Sequence, residues 1–216
     1  KEINKIARKW RLLSYKEINR EIKNQILNDG TSFEKSTSYH AYVLEILLWS
    51  YKVLELNTDF DLSYISIILR KMYVFLNQIN KTDGIPFIGD NDNSRLFRDD
   101  LKYPFENHRN YEQLLKKCKV WLKISDYKYK DCYKDSGYYF LKSNNLTVLV
   151  CCGSLSVSGG HCHNDQLSYI LWYNGIRITD DPGTYCYTSD ARLRNKFRGT
   201  GMHTTVQIEN AEQNKF

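Results

Sequence analysis

Only 3 prolines, 2 methionines and 5 histidines occur among the 216 residues, and the 6 cysteines include no C-x-x-C pair. No apolar run approaches 18 residues and the mean hydropathy is −0.56, which together exclude a membrane-spanning helix. Nor is there a block of one charge. The 31 basic and 25 acidic residues are interleaved, so the formal charge of +6 is diffuse. That pattern argues against a nucleic-acid-binding arm and suits an acidic small molecule or a polyanionic polysaccharide. Six cysteines in a chain this long do not make a disulfide scaffold. Cys151 and Cys152 are neighbours in an apolar run and, as strand residues, would face opposite ways. The chain opens on Lys1 with no charged-then-apolar leader after it, which leads us to expect a processed or truncated piece. What is plentiful is aromatic: 17 Tyr, 9 Phe and 4 Trp are too many for a disordered chain.

The patterning splits the chain at about residue 130. Residues 1–130 read as helical. A first helix ends near Asp29-Gly30, and two further apolar stripes at helical spacing run from Val43 to Leu54 and from Leu62 to Leu76. The short break at Asn57 to Asp61 predicts an antiparallel pair, and a fourth helix is expected over 109–124. Between them lies a polar stretch, 82–107, of the length that is often functional. Residues 131–216 read as antiparallel sheet. Strands are expected over 137–141 and 146–152, the latter apolar on both faces, and over 167–173, 176–179 and 204–209. Asn174-Gly175 is a two-residue hairpin turn that needs positive φ at both positions.

The chemistry concentrates in Gly159-Gly160-His161-Cys162-His163-Asn164-Asp165. Histidines at i and i+2 on extended backbone point the same way and can share a metal or a substrate. Asp181, in a turn after a strand, and His203, before the last strand, would complete with His163 a neutral–anionic–neutral zinc set. The alternative is a group of polar strand-end residues bonding one another. In the helical half, Ser36, Thr37 or Ser38 can cap a helix whose first turn holds His40, where the positive end favours neutral imidazole and attracts an anion. Glu34 is a capping or solvent residue on the same evidence, and His108 reads as a loop histidine. A metallo-hydrolase fragment built on His161-x-His163-x-Asp165 would want another histidine where Gln166 stands, and the long helical half does not fit it.

Three runs together carry a resemblance. They are Gly160-His161-Cys162-His163-Asn164-Asp165-Gln166-Leu167-Ser168, Asp181-Pro182-Gly183-Thr184-Tyr185-Cys186-Tyr187, and Arg194-Asn195-x-Phe197-Arg198-Gly199-Thr200-x-x-His203-Thr204-Thr205-Val206. They resemble the heparinase II/III-like family of polysaccharide lyases. Asp29-Gly30-x-x-Phe33-Glu34-x-Ser36-x-x-Tyr39-His40 and Pro86-x-x-Gly89-Asp90-Asn91-Asp92 resemble it more weakly. The resemblance implies an α+β multidomain fold, with part of an α/α toroid followed by a truncated antiparallel β-sandwich. It implies β-elimination at a uronic acid of an acidic polysaccharide, and a location in the cell envelope, in the periplasm or outside the cell. It makes His161 an active-site histidine, puts Tyr39 and His40 among the carboxylate-binding and catalytic groups, and gives His163, Asp181 and His203 a structural zinc ion. The family's catalytic tyrosine has no counterpart in Pro86-Phe87-Ile88-Gly89-Asp90. The base then comes from His40 or Tyr103, or the chain is a polysaccharide-binding module that keeps fold and zinc without full activity.

Elimination itself sets requirements. The uronate C5 proton is acidic only once the neighbouring carboxylate is neutralised, a role open to Asn164, Arg198, Tyr39 and Glu34. The base must titrate near the working pH, as His40 or His161 can, whereas a phenol must be lowered from about 10. Lastly, the departing 4-oxygen needs a proton.

Overall fold

The computed structural model describes residues 2–92, 95–97, 109–154 and 160–215. Helix α1 (Glu2–Gln25) is followed by α2 (Thr37–Asn57), α3 (Ser63–Ile79) and α4 (Glu112–Trp121), the last shorter than expected. Ser36 is the residue that caps α2: its Oγ accepts from the Tyr39 N–H at 3.1 Å. The apolar stripes behave as read. Leu44, Leu48 and Leu54 of α2 and Ile65, Leu69, Met72 and Leu76 of α3 are all buried in one core.

Five strands then form one antiparallel sheet in the order β1 (Cys132–Tyr133), β2 (Tyr138–Ser143), β3 (Leu146–Cys151), β4 (Ser168–Tyr173) and β5 (Ile176–Arg177). Asn174 (φ 50°) and Gly175 (φ 78°) make the anticipated turn, with Tyr173 paired to Ile176. Tyr138, Phe140, Leu149, Cys151, Ile170 and Trp172 turn inward. There the ring of Phe75 on α3 lies 4.9 Å from Tyr133 and 5.2 Å from Tyr138, so the helical and sheet halves share a single core.

Three expectations need correcting. β3 is covered on one face only: Val148 and Val150 are half-buried, because no second sheet lies over them among the described residues. Residues 204–209 form no strand. The Thr204 and Thr205 hydroxyls donate to the carbonyls of Tyr169 and Gln166 in place of a backbone ladder, and positive φ at Glu209 and Asn210 ends any extended run. A helix that the pattern did not show, α5 (Ala191–Phe197), is capped by the Asp190 carboxylate. All six cysteines are free, with Cys151 buried and Cys152 exposed as alternation requires.

The two halves meet where the 80–92 loop crosses the start of α2. Thr37 N–H donates to Ile88 O at 3.1 Å, and Thr37 Oγ1 to Pro86 O at 2.6 Å. Asp90 N–H donates to His161 O at 3.0 Å. Gly89 allows this approach: its φ is +70°, and a Cβ there would sit 2.7 Å from His161 O. Gly89→Ala is accordingly expected to cost about 1–3 kcal/mol, read as a lower denaturant midpoint at unchanged slope. An unmoved midpoint would mean that the contact is dispensable.

Candidate functional site

The centre of the site is Asp90, a buried carboxylate. His161 Nδ1 lies 3.0 Å from its Oδ2 and His163 Nε2 lies 2.8 Å from its Oδ1. Arg194 Nη2, from α5, is 2.7 Å away, and Thr184 Oγ1 donates at 3.3 Å. Burial pushes the Asp90 carboxyl up, but the two histidine bonds and the charges of His163 and Arg194 outweigh it and hold it at about 2. The i, i+2 histidines do point the same way, and what they share is this carboxylate.

On the solvent side His161 stacks on Tyr39, with centroids 3.9 Å apart and planes 16° from parallel. Its Nε2 is 3.6 Å from Glu34 Oε1. The Asp90 hydrogen bond raises the His161 pKa against the opposing effect of burial, and burial raises that of Glu34. The Tyr39 hydroxyl is 3.0 Å from that of Tyr187 and 3.3 Å from Asp92 Oδ2. Burial pushes both phenols up, so both stay neutral at ordinary pH. The Arg194 guanidinium lies 5.3 Å from the Tyr187 ring centre.

On the inner side, His163, Asp181 and His203 are all buried and offer ligand atoms within 4.8 Å of one another. Asp181 Oδ2 accepts from His203 Nδ1 at 2.7 Å, while its Oδ1 accepts from Gly183 N–H at 2.9 Å. His163 Nδ1 and His203 Nε2 are buried with no hydrogen-bond partner. Two orphaned imidazole nitrogens beside a carboxylate are costly alone, about 1–3 kcal/mol each, and are the donor set a zinc ion takes. The residues fit the metal.

His40 departs from the expected role. Its Nδ1 accepts from Ser32 N–H at 3.2 Å, its Nε2 faces Met72 O at 3.1 Å, and Phe75 packs edge-on at 5.0 Å. With both nitrogens engaged in the helical core, the ring has none left for a substrate. Desolvation lowers its pKa to about 4. The unfolded chain, with an ordinary value of 6.5, therefore takes up the proton first. The native state is fully favoured above about pH 6.5 and loses up to about 3 kcal/mol as pH falls to 4. Asp165, raised to about 6 by burial, opposes this slope. The check is thus the difference in urea stability between wild type and His40→Gln across that range, and equal slopes would refute it.

The other expected residues divide. Asn164 is buried, and its Nδ2 donates to Glu212 Oε2 at 2.8 Å and to Asn214 O at 2.9 Å, which anchors the last loop. Its N–H donates to the carbonyl of Arg198, a half-buried residue whose pKa is lowered by burial and then by Arg194. Tyr103 and His108 lie outside the described residues. Asp90, Asp92, Tyr187 and Arg194 were given no role from sequence. Their signal was present in the Gly89-Asp90-Asn91-Asp92, Asp181-to-Tyr187 and Arg194-Asn195 motifs, but nothing linear joined them to His161.

Comparisons with known proteins bear on the family and the fold. Residues 2–117 match the family model described as heparinase II/III N-terminus, and residues 129–216 match heparinase II/III-like, C-terminal. A heparin-sulfate lyase of Bacteroides stercoris is 27% identical over 95% of this chain and 33% of its own length. One from Pedobacter heparinus is 26% identical over 96% and 34%. Among solved structures, a heparinase III superposes with a TM-score of 0.68 at 23% identity, covering 91% of this chain and 32% of its own. A heparan sulfate lyase from Pedobacter heparinus gives 0.64 at 24%, with coverage of 90% and 32%. The chain thus spans about a third of the length of these relatives. With profiles matching both of its halves, it belongs to the heparinase II/III family.

Proposed function

We propose that the protein is a polysaccharide lyase that cleaves uronic-acid-containing chains by β-elimination, with heparan-sulfate-type glycosaminoglycan as its substrate class. The observation that carries this is His161: one nitrogen bonded to a buried carboxylate, the ring stacked on a tyrosine, and the other nitrogen on its partly exposed side beside Glu34. With its proton on Nδ1, His161 Nε2 takes the C5 proton of the uronate. The freed electron pair forms the C4–C5 double bond as the bond to the 4-oxygen breaks. A neutral phenol, Tyr39 or its partner Tyr187, donates the proton that the departing oxygen requires. Glu34 and Arg198 are the candidates to bind the uronate carboxylate, Glu34 in its protonated form.

His163 Nδ1, Asp181 and His203 Nε2 would hold a zinc ion. Bound there, zinc supplies a structural cross-link of three loops. In this reading α1–α4 are the later helices of an α/α toroid and β1–β5 open a β-sandwich. The names of the relatives support the substrate class.

The test is new ultraviolet absorbance from an unsaturated uronate when heparan sulfate is added, set against heparin, chondroitin-type and alginate chains. Loss of that signal in Tyr39→Phe would support the phenol's role. The absence of a tyrosine in 86–92 and the raised, mutually bonded phenols favour one second reading, a glycan-binding module. Binding across the panel without any chromophore would select it.

A further inference from the structure

We infer that Asp90 is a positioning residue that ties the candidate metal centre to His161 by fixing the tautomers of both histidines at once. An ionised carboxylate accepts hydrogen bonds and donates none. Each ring must therefore present an N–H to it: His161 from Nδ1 at 3.0 Å and His163 from Nε2 at 2.8 Å.

The consequences run in opposite directions from one side chain. In His163 the lone pair is left on Nδ1, the buried, unpartnered atom in the group with Asp181 and His203. In His161 it is left on Nε2, on the partly exposed side, 3.6 Å from Glu34. A carboxylate behind a metal-binding histidine commonly sets that ring's orientation. Here the same carboxylate also holds a second ring that faces solvent. Arg194 and Thr184 fill the remaining acceptor positions of Asp90, and its N–H is bonded to His161 O, so the group has little room to turn. Metal on His163 would strengthen the Nε2–H donor, and that change reaches His161 through a single carboxyl group.

The assignment of His161 to the reaction rests on the proposed lyase function, but the linkage itself does not need turnover. Zinc is titrated into chain carrying 15N-labelled histidine. The expected result is that His161 resonances shift together with those of His163 and His203, and that the His161 nitrogens report the Nδ1–H form. In Asp90→Asn the side chain offers one acceptor and one NH2 donor, so it cannot receive both rings as before. Either the zinc Kd rises by about 10–100-fold or His161 switches to Nε2–H, and zinc no longer moves the His161 signals. A wild-type chain that binds no zinc, or whose His161 ignores zinc, overturns the inference without reliance on any variant. So does an Asp90→Asn chain that keeps both the tautomer and the affinity. A chain that shows the linkage but releases no unsaturated uronate would sink the lyase reading alone.

Discussion

Replacing His161 with alanine is expected to lower the kcat of uronate elimination by about 10²–10⁴-fold, the usual contribution of a positioned general base. KM should change little, because the residues proposed to meet the sugar, Glu34 and Arg198, remain in place. The size follows from the site's geometry. Of the other groups near it or expected as base, among the described residues, His40 has both nitrogens bonded to backbone, and the phenols of Tyr39 and Tyr187 are pushed up by burial. Among the histidines of the described residues, His161 combines a buried carboxylate partner with a second nitrogen on a partly exposed side. The measurement is the rate of chromophore formation at saturating substrate. A variant that retains a tenth or more of the wild-type rate would remove His161 as the base and return attention to the phenols. Tyr39→Phe separates the roles, since it removes one of the two proposed proton donors while the ring still stacks.

Stripping zinc is expected to have the largest effect on stability. A ligand that binds only the native state, present at 100–1000 times its Kd, contributes about 3–4 kcal/mol. For a chain of this size that corresponds to a fall in Tm of about 6–16 °C on chelation. The physical source is the pair of orphaned nitrogens, His163 Nδ1 and His203 Nε2, each buried without a partner beside Asp181. Metal analysis should find one zinc per chain, lost in His163→Ala, and chelator should then leave that variant's Tm unmoved. A wild-type Tm insensitive to chelator would show that the three residues are only a hydrogen-bonded cluster. Asp181 already bonds His203 at 2.7 Å, so that outcome has a ready structure.

Much of this was legible in the linear chain. The helical stripes of α2 and α3 show because a helix that packs on one side must repeat its apolar residues every three or four positions. The Asn174-Gly175 turn shows because few residue pairs accept two positive φ values. The i, i+2 histidines and the His163, Asp181, His203 set show because strand geometry and ligand chemistry restrict what can stand there. Strand 204–209 misled for the converse reason: its alternation is real, but alternation makes a strand only where a neighbour supplies the ladder. Helix α5 was missed because its seven residues bury no residue fully, so it lacks an apolar stripe.

By itself, then, the sequence determined the order of helix and sheet, the family, and which residue types hold the chemistry, since these depend on local backbone preference and on motifs short enough to read. Only the tertiary structure decided which histidine stays partly exposed. His40 and Tyr39 are neighbours on α2, yet about 100° of helical rotation sends one ring into the core and the other onto His161. Asp90 likewise stands 71 residues from His161 and 73 from His163. No local propensity encodes that meeting. It exists because burial of a common core brings the 80–92 loop across the start of α2, and because a buried carboxylate must find donors wherever the fold presents them.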